Sequence, residues 1–237
     1  MADKTDTYCL MDQFLWGEEV NLETIRIVCL ANSRKLGERC IAGVDLETGK
    51  WVRPVNEGGA ELSLKDINYE DGSTPQVLDI INMPVIKRQP LYYQPENWVI
   101  NRKNFWSKVG RLPVSKLQQY CENLPFIFYN SSDRLPQDFI LSKGIEQSLI
   151  LVEVEGICIE KKLPPWRANS QVRAKFKYNG IFYDLAVTDI QWEQKFSGQQ
   201  IEIGEYPCKG RFLLTIGLGK EFKGEHYKLI VSIIKLD

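Results

Sequence analysis

The chain has 237 residues, of which 43% are hydrophobic and 26% charged, with 17 glycines and 11 prolines. That mixture belongs to a folded globular protein and excludes a disordered chain or a collagen-like rod. Thirty Lys and Arg against 31 Asp and Glu give a net charge of -1, which excludes a uniformly basic nucleic-acid coat but leaves room for a local basic groove.

A single histidine, His226, removes every metal site or hydrolase motif that needs two or more. The first residues, M-A-D-K-T-D-T, lack the basic-then-apolar pattern of a leader, and no apolar run is long enough to span a membrane. The expected location is cytoplasmic, with no membrane contact. Cys9, Cys29, Cys40, Cys121, Cys158 and Cys208 never form a C-x-x-C pair, and most sit in apolar settings, so free thiols are expected.

In chain order, residues 1–22 form an acid-rich N-terminal extension. Strand signals follow at 24–30, 40–45 and 51–55, with Gly49 supplying the positive φ of a hairpin turn between the last two. Residues 77–85 read as another strand. The aromatic, polar segment 86–111 reads as a long loop leaving the sheet, and 113–120 as a short helix behind Pro113. Strand signals resume at 148–160. Runs 171–179 and 181–189 flank Asn179-Gly180, the strongest short hairpin signal, and strands at 212–218 and 227–236 close the chain. The expected fold is mainly β: one small barrel over 23–112, a helical or irregular connector over 113–146, and a second barrel over 147–237. A single mixed domain of about ten strands stays open.

Four places carry candidate binding chemistry. Asn32, Ser33, Arg34, Lys35 and Arg39 put cations and short hydrogen-bonding side chains just after a strand, a composition suited to phosphate or carboxylate, or else to a solvated turn. Trp51 and Arg53 share one strand face. Either they form a stacking platform and a polar contact, or Trp51 fills the barrel and Arg53 caps it with an ion pair. Segment 87–111 interleaves Lys87, Arg88, Arg102, Lys103, Lys108 and Arg111 with Tyr92, Tyr93, Trp98, Phe105 and Trp106, against Glu96 alone. Cations that follow a backbone and rings that stack bases are the means by which single strands are held. The competing reading is a loop that uses its rings to pin itself down. Finally, Trp166 precedes Arg173, Lys175 and Lys177, which share a strand face and need an anion or a row of acids to neutralise them. Asp189 reads as a helix or turn cap, or as a contact to a base edge or a ligand cation.

No catalytic set is expected. The carboxylates lack a calcium-loop pattern, a Cys40–His226 pair would have to cross the chain, and no metal or cofactor is implied.

Taken together, C-L-A-N-S-R-K-L-G-E-R-C-I-A-G (29–43), G-K-W-V-R-P-V (49–55), Y-E-D-G-S-T-P-Q-V-L-D-I-I (69–81), Y-Q-P-E-N-W-V-I (93–100), F-Y-D-L-A-V-T-D (182–189) and Y-K-L-I-V-S-I-I (227–234) resemble the dual OB-containing domain family of prokaryotic proteins over about 24–236. The resemblance implies two tandem OB-type barrels and recognition of nucleic acid or a nucleotide-like ligand, with no reaction to carry over. It marks Asn32, Ser33, Lys35, Arg39, Cys40, Trp51, Arg53, Pro54, Thr188 and Asp189 as recurrent positions. Ile190 stands where the family has a proline. The function expected is a non-catalytic module for single-stranded or structured nucleic acid. The alternatives are a sensor for a nucleotide or similar anion at Asn32–Arg39, and an adaptor for a protein partner.

Overall fold

The computed structural model describes residues 23–35, 38–165, 169–198 and 200–236. The first sheet contains β1 (Glu23–Lys35), β2 (Glu38–Asp45), β3 (Trp51–Val55), β4 (Asp79–Arg88), β5 (Asn97–Ile100) and β6 (Ser107–Arg111). Its order is β1-β2-β3-β5-β4-β6, and β4 also pairs with β1, so five strands close on themselves while β6 extends β4. β3 and β5 are parallel. Helix α1 (Leu64–Ile67) lies between β3 and β4, and its capping box joins Ser63 and Asp66.

The second sheet repeats this path. β8 (Leu149–Lys162), β9 (Gln171–Tyr178) and β10 (Ile181–Val187) form a meander, and helix α3 (Ile190–Ser197) follows. β11 (Gly204–Leu218) then returns to β8, and β12 (Glu225–Lys235) lies parallel to β10. Three antiparallel strands, a helix, a fourth strand against the first and a fifth parallel to the third make the five-stranded Greek-key barrel of an OB fold. The chain contains it twice. β7 (Arg134–Pro136), which leads into helix α2 (Gln137–Lys143), adds an edge to β12.

Three apolar cores result. Ile27, Ile41, Val52, Ile81 and Trp106 fill the first barrel. Ile159, Phe176, Tyr183, Leu185 and Phe212 fill the second. The third, made of Val28, Leu30, Ala42, Val44, Trp51, Leu149, Leu151, Leu213 and Val231, is the seam where the barrels press together. β1 is therefore buried on both faces, which explains a continuous apolar run, I-V-C-L-A, in place of alternation. Thr215 ties the seam by donating its hydroxyl to the Leu30 carbonyl at 2.7 Å.

The expected hairpins are present, with φ of 70° at Gly49 and of 48° and 79° at Asn179 and Gly180. Three details differ from expectation. Residues 86–111 are not a loop leaving the sheet, because they hold the end of β4 and all of β5 and β6. Residues 32–35 continue β1 and do not begin a loop. The helix at 114–120 is 3-10, and the region after it supplies β7 to the second sheet. Residues 1–22, the expected extension, lie outside the described residues. Among the described residues, no helix is long and apolar enough to cross a membrane.

Candidate nucleic-acid interface

OB barrels present ligands with the outer face of their second and third strands and the loops at its rim. In the first barrel that face is closed. Ala42, Val44 and Trp51 point outward from β2 and β3 into the seam, so Trp51 packs between the barrels. It neither stacks in an open groove nor fills a barrel interior.

Arg53 beside it is 4% exposed. It donates from Nε to Glu96 Oε1, from Nη1 to Cys40 Sγ and from Nη2 to Ser148 Oγ, each at 2.9 Å. Ser148, at the start of the second barrel, donates its backbone N–H and its hydroxyl to the same Glu96 carboxylate. This is a buried ion pair whose remaining lone pairs are satisfied, the condition under which such a pair is tolerated. Its geometry staples the barrels together.

The Asn32–Arg39 cluster has a similar placement. Asn32 Nδ2 donates to the Pro75 carbonyl at 2.7 Å. Ser33 is buried and bridges to Asp189, and the Arg34 N–H donates to the Thr188 carbonyl at 3.1 Å. Arg39 pairs through its backbone with Leu62. Asp189 accepts from the Trp192 N–H, capping α3, and from the Ile233 N–H. Burial pushes its carboxyl above the ordinary range, and the two amide bonds oppose that rise. The cavity lined by Arg39, Cys40 and Arg53 measures about 20 Å³, room for one water. The Arg34 side chain is exposed, and that of Lys35 lies outside the described residues.

Part of segment 87–111 plugs the second barrel. Tyr93 is buried with its ring 4.9 Å from that of His226. His226 donates from Nδ1 to the Gly219 carbonyl, so its Nε2 accepts from the Tyr92 hydroxyl at 3.1 Å. Trp106 belongs to the first barrel's core and Trp98 packs against it, with Arg88 stacked over Trp98 at 5.9 Å.

The cations of the segment, from both its ends, meet the solvent on or beside β4. β4 pairs with β6 over its first half, Asp79 opposite Arg111 and Ile81 opposite Lys108, and with β5 over its second, Lys87 opposite Val99 and Arg88 opposite Trp98. The β5–β6 turn carries Arg102, Lys103 and Phe105 between these halves, anchored where the Asn101 N–H donates to the Pro84 carbonyl. Six exposed cations from a stretch of chain that doubles back thus lie on or beside β4, a strand of 10 residues about 30 Å long, with Lys87 and Arg88, as neighbours in it, projecting to opposite faces. Phe105 stands among them, 63% exposed. Three carboxylates partly balance them: Asp79 with Lys108 and Arg111, Asp66 with Arg102, and Glu57 with Lys87. The Asp79 and Asp66 side chains are themselves buried, leaving the outer surface to the cations. For Asp66, burial works against ionisation, but hydrogen bonds from Asn56 and Ser63 and the charge of Arg102 hold its pKa below the usual value.

On the second barrel, Arg173, Lys175 and Lys177 do share the outer face of β9. Neighbouring strands provide the row of acids: Asp184 pairs with Arg173 at 2.6 Å, and Glu160 and Glu205 with Lys175 at 3.0 and 2.5 Å. Lys177 is exposed opposite Phe182. Trp166 lies outside the described residues.

Sequence reasoning missed Ser148 and the partnering roles of Glu96 and Asp79. Glu96 did leave a signal, as the only acid in 87–111, because a lone carboxylate in a basic stretch needs a reason to be there. No group of three or more metal-ligating side chains occurs among the described residues.

Residues 25–233 match the dual OB-containing domain, and the chain belongs to that family. No curated protein matches it. Among solved structures, it is similar to the Ifi202 HINa domain in complex with 20bp dsDNA, at 15% identity and a TM-score of 0.34, covering 91% of this chain and 98% of that one. It is also similar to the tetrameric p202 HIN2, at 11% identity and a TM-score of 0.32, covering 91% and 92%. These likenesses are too distant to carry an argument about this chain.

Proposed function

We propose that this member of the dual OB-containing domain family is a non-catalytic module that binds single-stranded or structured nucleic acid along β4 of the first barrel. Lys87, Arg88, Arg102, Lys103, Lys108 and Arg111 follow the phosphates, and Phe105 offers a ring on which a base stacks. The observation that carries this reading is the gathering of six exposed cations on β4, on β6 and on the turn before it, together with an exposed aromatic ring. The usual OB face of the first barrel is used up by the seam, and that of the second is balanced by its own acids. A nucleotide sensor at Asn32–Arg39 is less favoured, since Asn32 and Ser33 are engaged within the fold and the cavity beside Arg39, Cys40 and Arg53 is about 20 Å³, against roughly 300 Å³ or more for a ligand pocket.

The test is fluorescence anisotropy with labelled single strands across a salt series. With about four phosphates engaged, log affinity falls against log salt with a slope of about -3, or some fifty-fold between 50 and 200 mM. Strands of roughly 10 nucleotides or more bind better than trinucleotides, because the cluster exceeds the reach of a short oligomer. Equal affinity for a mononucleotide, or binding without salt dependence, overturns the reading.

A further inference from the structure

A second cleft lies on the opposite charge. It measures about 510 Å³ and is lined by Phe126, Phe128, Tyr129, Glu122, Glu146 and Gln147, with Leu124, Pro125 and Ile150 at its apolar end. That volume suits a small organic molecule. Among the described residues, no Lys or Arg lines it, so its charge disfavours a phosphate. Its rim carries two solvent-facing rings, Phe126 at 41% and Tyr129 at 52% exposure.

The wall is built in an uncommon backbone conformation. Phe128 and Tyr129 have φ of 44° and 59°, successive left-handed residues without a glycine between them. Such conformations persist only where their surroundings hold them, and they gather at binding sites. Here the buried ammonium of Lys228 holds the turn from behind, donating to the Ile127 carbonyl at 2.5 Å, the Asn130 carbonyl at 2.8 Å and Asn130 Oδ1 at 2.7 Å. The Tyr183 hydroxyl also accepts from the Ile127 N–H and donates to the Asn130 carbonyl. At the other wall Glu122 accepts from Gln147 Nε2 at 2.7 Å. Burial raises the Glu122 carboxyl above its ordinary range, the direction a nearby cation would reverse. Glu146 is exposed, and its charge raises the Tyr129 hydroxyl, second to that group's own burial.

We infer that this cleft binds a small organic ammonium ion, its charge over the Phe126 and Tyr129 rings and facing Glu122 and Glu146, its apolar body against Leu124 and Ile150. Ring faces attract such cations, and carboxylates add a complementary field. The site is separate from the β4 cluster, so it stands or falls independently of nucleic-acid binding.

The test is NMR titration of the full chain with choline and with its neutral isostere, 3,3-dimethylbutan-1-ol. Saturable choline shifts at residues 124–129 and 146–150, at least fivefold tighter than for the alcohol, are expected. Glu146→Lys, at an exposed position, weakens choline at least fivefold while leaving the spectrum elsewhere and the nucleic-acid affinity unchanged. Phe126→Ala weakens it several-fold. Equal affinity for the two ligands, shifts confined to other surfaces, or a Glu146→Lys chain that binds choline as well as the parent overturns the assignment.

Discussion

Replacing Arg53 by Met removes three donors from a buried site and leaves the Glu96 carboxylate there with only Ser148 for company. The lost hydrogen bonds are each worth about 1 kcal/mol. The uncompensated charge weighs more, and breaking a buried pair from one side costs about 3–5 kcal/mol in all. Against a typical stability of about 5–15 kcal/mol, that is about a fifth of the total at least. With a urea m-value of about 2–3 kcal/mol/M for a chain of this size, the midpoint falls by about 1–2.5 M. Trp51 in the seam and Trp98 and Trp106 in the first barrel report the transition by fluorescence. The companion variant, Arg53→Met with Glu96→Met, removes both charges. It is expected to recover most of the loss, because no buried ion remains without its partner. A single substitution costing less than about 1 kcal/mol, or a double variant no more stable than the single one, would refute the staple.

Four further expectations test the frame. Asp189→Ala strips the cap of α3 and orphans the buried Ile233 N–H; it should cost about 2–3 kcal/mol by urea denaturation. A Cβ at Gly43 would lie 2.1 Å from the Val28 carbonyl oxygen, so Gly43→Ala must part β1 from β2 and should leave little folded protein by circular dichroism. Gly49→Ala meets nothing within 4 Å and should cost only its positive φ, about 1–2 kcal/mol. Burial pushes the Cys29 thiol up to about 12, with the Ala31 carbonyl contact opposing. It therefore stays protonated in mildly alkaline solution, and iodoacetamide should label it, by mass spectrometry, only after unfolding.

The strands and hairpins are legible in the sequence because they rest on local rules: β-branched runs, an Asn-Gly pair, a glycine at positive φ. The seam is not. A residue buried between two barrels and one buried inside a barrel have the same apolar character, so Val28 and Ile27 look alike in sequence although they face different cores. The polar motif residues mislead for a related reason. Arg53 reads as a ligand contact because its partners, Glu96 and Ser148, lie 43 and 95 positions away, beyond any periodic pattern. In 87–111 the composition picks out the cations and rings, but only tertiary packing separates Tyr93, which plugs the second barrel, from Phe105, which faces solvent. The neutralising row beside Arg173 and Lys175 is one of the two options that the sequence leaves open, since stacked cations demand either acids or an anion.

The most direct test of the central claim is to reverse charge on the two barrels separately and measure single-strand binding by anisotropy at low salt. Arg102→Glu with Lys103→Glu changes two exposed residues of the β5–β6 turn and should weaken binding at least tenfold while flattening the salt slope by about 1–2. Lys177→Glu, on the outer face of β9, should leave both nearly unchanged. If instead the β9 variant abolishes binding and the turn variant does not, the nucleic acid lies on the second barrel and the β4 cluster is not its site.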